Sequence, residues 1–247
     1  MLQTSDLIFP EWPAPDGVKA FFTTRTGGVS SGVHASLNLG VHVQDDPEQV
    51  AENRRRLNTL LPAPPVWLNQ VHGADVVAAT KVGNDVVAAD ASFTIRMNTV
   101  CAVMVADCLP VLFCSKDGAV VAAAHAGWRG LAAGVLENTV DAMARPPREI
   151  LAWLGPAIGP ARFEVGADVL AAFTATAAAD AAAFATIEGK PDKYLADIYQ
   201  LARHRLQRVG VQDIYGGQSC TVTDAERFFS YRRDGKTGRM AALIWRQ

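Results

Sequence analysis

Residues 101–130 read CAVMVADCLPVLFCSKDGAVVAAAHAGWRG, and their patterning decides the fold class. Two apolar runs, rich in Val, Ala and Leu and lacking polar alternation, are bounded by turn residues at Lys116-Asp117-Gly118 and at Gly127. Such runs are expected to be buried strands. Each closes on a residue with usable chemistry, Cys108 for the first and His125 for the second. Strand ends are held rigidly, so a thiolate and an imidazole presented from neighbouring ends can converge on one point. A metal site or a Cys/His nucleophile pair requires that convergence. A lone cysteine usually packs, and a histidine beside a glycine-rich turn is usually a satisfied polar residue. The shared context of the two residues, not either residue by itself, makes them candidates.

Composition narrows the classes. A chain of 247 residues suits a large-sheet fold in a single domain. No Pro/Gly/Ser-rich linker or charge block divides it, so one domain over 1–247 is expected. With 49% hydrophobic residues and a net charge of −2, the chain can bury a sizeable core and lacks the basic excess of a nucleic-acid binder. The opening MLQTSDLIFPEWPAP has no basic segment followed by an apolar one, and no apolar run is long enough to span a bilayer. A soluble, cytoplasmic protein with no membrane partner is the expectation. The four cysteines form no CxxC pair and are read as free thiols.

Other segments add candidates. VKAFFTTR (18–25) reads as a strand running into the turn TGGVSSG, where backbone N–H groups and Arg25 can meet an anion. Asn38, in the polar loop that follows, is a candidate amide reader. Asp46-Pro47 opens a helix whose Arg54, Arg55 and Arg56 are expected on a solvated face. NQVHG delivers His72 beside a glycine, again at the end of a short strand. Residues 128–143 read as one helix with Arg129 at its anion-favouring start. EILAWLG is a strand, the Ala-rich stretch 167–185 a helix by propensity, and KYLADIYQLARHRLQRVG a helix stopped by Gly210, with His204 exposed. A final strand covers 240–245. Glu164, Arg232 and Arg233 have no assigned role.

Taken together, TTRTGGVS (23–30), NQVHG (69–73), ADCLPVLF (106–113), AHAGWRG (124–130), GPAIGP with FEVG (155–166) and FFSYRRDGKTGR (228–239) resemble the laccase-domain, or YfiH-like, family across nearly the whole chain. The resemblance implies an α/β fold: a single-domain sandwich of two mixed β-sheets flanked by helices in α-β-β-α layers. It implies a metal, zinc with copper as the other option, held by His72, Cys108 and His125, which would also be the catalytic residues. It implies phosphorolysis of adenosine, inosine and S-methyl-5'-thioadenosine, with adenosine deamination as a second activity. The partners would then be a purine nucleoside and phosphate, with Arg25, Asn38, Gln70 and Arg129 as substrate-binding candidates, in a monomer or homodimer. Copper-dependent phenol oxidation would need more histidines than His34, His42 and His204 supply. The rival readings are a metal-free hydrolase with Cys108 activated by His125, a hydrolase editing peptidoglycan precursors, and a structural zinc completed by Cys101 or Cys114.

Overall fold

The stretch 101–130 forms three strands where the sequence suggested two: Cys101–Val105, Leu109–Ser115 and Val121–Ala126. This computed structural model describes residues 2–80 and 86–247. The unforeseen break falls at Ala106-Asp107-Cys108, where the chain leaves one sheet and enters another. Asp107 takes a positive φ of 85° there, a conformation for which Asp is among the better-suited non-glycine residues. Cys108 therefore sits at the crossing between sheets rather than at the end of a strand.

The first sheet is wholly antiparallel, in the order Leu7–Ile8, Val18–Thr23, Met240–Arg246, Cys101–Val105. The second is mixed, in the order Asp213–Gly216, Ile150–Leu154, Leu109–Ser115, Val121–Ala126, Ala91–Thr94, Val76–Ala78, with parallel pairs only at its two edges. Alternation along the strands builds the layers. Phe22, Val103, Val105, Ala242 and Ile244 of the first sheet face Leu112, Cys114, Val121, Ala123 and Trp153 of the second. On the outer face of the first sheet, Phe21, Leu243 and Trp245 pack on Leu57 from the helix Pro47–Asn58. Val111, Phe113, Ala122, Ala124, Ala152 and Leu154 pack outward against residues of Trp128–Ala133, Val135–Ala142 and Ile198–Arg208. The four α-β-β-α layers are thus present, and each fully buried Leu or Phe in them contributes about 1.5–3 kcal/mol.

Three differences from the sequence reading have local causes. The helix expected over 128–143 is broken at Gly134, which adopts φ 95°. The Ala-rich stretch forms only Ala167–Thr174, a 3-10 turn Ala178–Ala183 and the strand Phe184–Ile187. That strand pairs with Lys190–Ala196, which pairs in turn with Glu164–Gly166, giving a third, small antiparallel sheet. The next helix starts only at Ile198, where the Asp197 carboxylate caps the N–H groups of Tyr199 and Gln200. Alanine's helix propensity amounts to tenths of a kcal/mol per residue and yields to strand pairing. Among the described residues, no helix is long and apolar enough to cross a membrane.

Candidate metal and substrate site

One buried carboxylate assembles the site. Asp90, fully buried immediately before the strand Ala91–Thr94, accepts three successive backbone N–H groups. Val71 and Gly73 donate to Oδ2 at 3.1 and 2.7 Å, and His72 donates to Oδ1 at 3.0 Å. This cradle holds the NQVHG loop in a tight turn with His72 at φ 60°. The same Oδ1 receives the Nδ1 proton of His125 at 2.7 Å, and the Asp90 carbonyl takes the His125 backbone N–H at 2.7 Å. Burial alone would raise the Asp90 carboxyl, but the His125 hydrogen bond and the backbone donors outweigh it and hold the group below its ordinary range.

His125 lies near the end of the strand Val121–Ala126, opposite Pro110, so Cys108 emerges beside it. Ligand atoms of His72, Cys108 and His125 lie within 4.8 Å of one another. Cys108 Sγ is 3.9 Å from His72 Nε2, and the two imidazoles meet edge to face with centroids 4.8 Å apart. The close approach explains the glycines of AHAGWRG. A Cβ on Gly127 would come within 3.0 Å of Cys108 Sγ and 3.1 Å of His72 Cδ2, and one on Gly130 within 2.5 Å of the Gly73 carbonyl oxygen.

Burial pushes the Cys108 thiol up, but the charge and hydrogen bonds of His125 and then His72 prevail and bring it down to about 6. Burial likewise disfavours the His125 imidazolium, and Cys108 and Asp90 more than restore it, so its pKa rises. A thiolate and two imidazoles, one with its Nδ1 committed to a carboxylate so that Nε2 is left for a ligand, form a donor set suited to zinc. Cys101 and Cys114 lie inside strands, and burial pushes both thiols up to about 12. Neither joins the cluster, so among the described residues it offers three candidate ligands. His34 bonds to Asp45 and the Val43 carbonyl, and His204 to Asp180, so neither is positioned to build a multi-copper centre with this cluster.

The cluster opens into a cleft of about 410 Å³ lined by Leu68, Asn69, Gln70, Met104, Val105, Ala106, His42, Tyr231 and Arg239. Gln70 lines it, but its amide is paired with the Met104 backbone: Nε2 donates to the carbonyl at 2.8 Å and Oε1 accepts the N–H at 2.7 Å. It thereby extends the free edge of the strand Cys101–Val105.

The structure does not bring Arg25, Asn38 or Arg129 to this lining. Arg25 donates to the carbonyls of Ala35 and Ala225 and lies over the Phe229 ring. Its TGG turn is crowded as well, since a Cβ on Gly28 would collide with the Ser36 carbonyl. Asn38 is fully buried and bonds Gly40, Asp45 and the Arg239 N–H. Arg129 is exposed and stacks on Trp128 at 4.4 Å. Of the arginines expected on a solvated face, Arg54 instead lies over Trp67 and donates to the Leu39 carbonyl. His204, expected exposed, is half-buried. Glu164 pairs with Lys190, Arg232 donates to the Glu164 carbonyl, and Arg233 braces its own loop.

Sequence reasoning missed Asp90, Asp107, Arg239 and His42. The Asp107 carboxylate gathers the hydroxyls of Thr221 and Ser230 and the N–H of Arg232, while its carbonyl takes the Ile158 N–H. It thus docks both the GPAIGP loop and the loop bearing Tyr231 and Arg239 beside Cys108. Its place in the ADC motif was the available signal. Asp90 lies outside every quoted motif.

These features have counterparts. A family model described as "Multi-copper polyphenol oxidoreductase laccase" matches residues 19–247. The Escherichia coli (strain K12) protein named purine nucleoside phosphorylase YfiH is 59% identical over 98% of this chain and 99% of its own. The Neisseria meningitidis protein NMB0706 superposes with a TM-score of 0.95 at 52% identity, covering 98% of this chain and 99% of that one. YlmD from Geobacillus stearothermophilus does so at 0.92 and 35%, covering 100% and 98%. The profile match and the end-to-end likeness agree with the layered fold, and the chain belongs to this laccase-like YfiH family.

Proposed function

We propose that the protein is a zinc-dependent purine nucleoside phosphorylase acting on adenosine, inosine and S-methyl-5'-thioadenosine, with adenosine deamination at the same centre. The observation that carries this reading is the convergence of His72, Cys108 and His125 on one wall of a cleft whose lining, among the described residues, includes the arginine Arg239 and no carboxylate. The naming of the Escherichia coli relative supports it. In phosphorolysis a phosphate oxygen forms a bond to C1' of the ribose, the C1'–N bond breaks, and the purine leaves with its electron pair and then takes up a proton.

His72, Cys108 and His125 would hold the metal, which when bound supplies a Lewis acid with an open coordination position. Asp90 fixes His125 through Nδ1 and fixes the His72 loop through its backbone, so the donor atoms need not reorganise. The apolar wall of Leu68, Met104, Val105 and Ala106 screens the reacting atoms from water, and the exposed Tyr231 at the margin offers a ring to the base. Incubating the protein with adenosine, with and without phosphate, tests the reading. Adenine and ribose 1-phosphate should form only with phosphate, and inosine in either case. No phosphate-dependent adenine from the zinc-loaded protein would contradict it.

A second reading has its own observation: the Cys108 thiol is lowered by His125, which suits a metal-free nucleophile. Such an enzyme would keep full activity after exhaustive chelation, whereas the zinc reading predicts loss and recovery on adding zinc.

A further inference from the structure

Among the described residues, Arg239 is the one arginine that lines the cleft, and its guanidinium is only partly used. Only its Nη1 is held, by the carbonyls of Thr237 and Gly238 at 3.0 Å each. Among the described residues, Nε and Nη2 have no protein partner, and no carboxylate pairs with the group. Its backbone, by contrast, is fixed on both sides. The N–H donates to Asn38 Oδ1 at 2.9 Å, the carbonyl accepts the Leu39 N–H at 3.1 Å, and the final strand begins at the next residue. Gly40 leaves room for the side chain, since a Cβ there would lie 2.8 Å from Arg239 Cγ. The guanidinium is therefore aimed from a rigid base, with a free pair of donors suited to a bidentate oxyanion contact.

We propose that Arg239 and His42 form an oxyanion subsite of the cleft, and that its ligand is inorganic phosphate, held there for attack on the nucleoside bound beside the His72/Cys108/His125 cluster. The ligand's identity rests on the phosphorolysis reading; the acid-free cationic subsite does not. Among the described residues, no Asp or Glu lines the cleft to neutralise the pair. Burial lowers the Arg239 pKa, with partial relief from Cys108, Asp107 and Tyr231. Burial, Arg239 and Arg54 all lower that of His42. A bound dianion supplies the missing charge to both groups. Asn38 does not line the cleft, and its amide oxygen instead holds the Arg239 backbone N–H.

The test has two readouts on the intact protein. In NMR titrations with inorganic phosphate, the His42 ring should shift and its pKa rise, and the response should vanish in Arg239→Ala. In initial-rate assays, Arg239→Lys should raise the phosphate KM tenfold or more through loss of the fork, with the nucleoside KM changed less than twofold. Should Arg239→Ala fail the circular dichroism check, exposed His42→Gln carries the test, with a phosphate KM raised several-fold. Unchanged phosphate saturation in folded Arg239→Lys and His42→Gln proteins would overturn the subsite. If the parent protein performs no phosphorolysis but phosphate still shifts His42 in an Arg239-dependent way, the subsite stands and the phosphorylase reading falls.

Discussion

The Asp90 carboxylate receives the Nδ1 proton of His125 at 2.7 Å through the same oxygen that accepts the His72 backbone N–H at 3.0 Å. Two of the three candidate metal ligands are therefore placed by one buried atom. Asp90→Asn removes the charge and turns one acceptor into a donor facing N–H groups. Zinc affinity should fall 10–100-fold, the range for loss of a carboxylate behind a ligating histidine. Unfolding free energy should drop by about 2–3 kcal/mol, as for loss of hydrogen bonds to a charged group. Chelator competition and urea melts measure the two. An unchanged zinc affinity would mean that His125 is oriented by its strand alone.

Gly130→Ala should damage the site without touching a ligand. The added Cβ would meet the Gly73 carbonyl oxygen at 2.5 Å, backbone that can yield only by moving the His72 loop. A cost of about 1–3 kcal/mol is expected for such overpacking, together with weaker zinc retention on dialysis. Normal retention with reduced stability would show that the loop moves without displacing the His72 ring.

The titration of Cys108 sets a pH profile for the chelator-treated protein. Its thiol is drawn down to about 6, against the burial that pushes it up, chiefly by His125. The reactive thiolate thus dominates above pH 6 and becomes scarce below it. Alkylation by iodoacetamide should level off above about pH 7 and fall tenfold per unit well below pH 6. His125→Ala should shift the profile upward, and zinc should suppress the reaction at every pH. A parent profile still rising at pH 9 would show that His125 does not activate the thiol.

What the sequence disclosed follows a physical division. Cys108 and His125 were legible because a soft and an imidazole ligand closing apolar runs is an unusual pattern, and NQVHG added His72. The buried strands were legible because apolar runs record burial directly, whereas the two-sheet layering came from the family resemblance. Asp90 and Asp107 were not, because an aspartate that accepts backbone N–H groups in the interior is written like an aspartate in any turn. Arg25 and Arg239 look alike in sequence, each within a glycine-containing loop; only the fold shows that carbonyls take Nε and Nη1 of the first but Nη1 alone of the second, and that the second lines the cleft. The small sheet was hidden because Phe184–Ile187 is a strand by pairing with Lys190–Ala196 and not by composition.

The central claim is that one metal-dependent centre serves both phosphorolysis and deamination, and His125→Ala tests it most directly. With adenosine and phosphate, adenine and inosine release should be measured together in the parent and variant proteins, with circular dichroism confirming the fold. Both activities should disappear together, since His125 belongs to the only candidate metal cluster among the described residues. A folded variant that lost phosphorolysis yet deaminated at the parent rate would contradict the account.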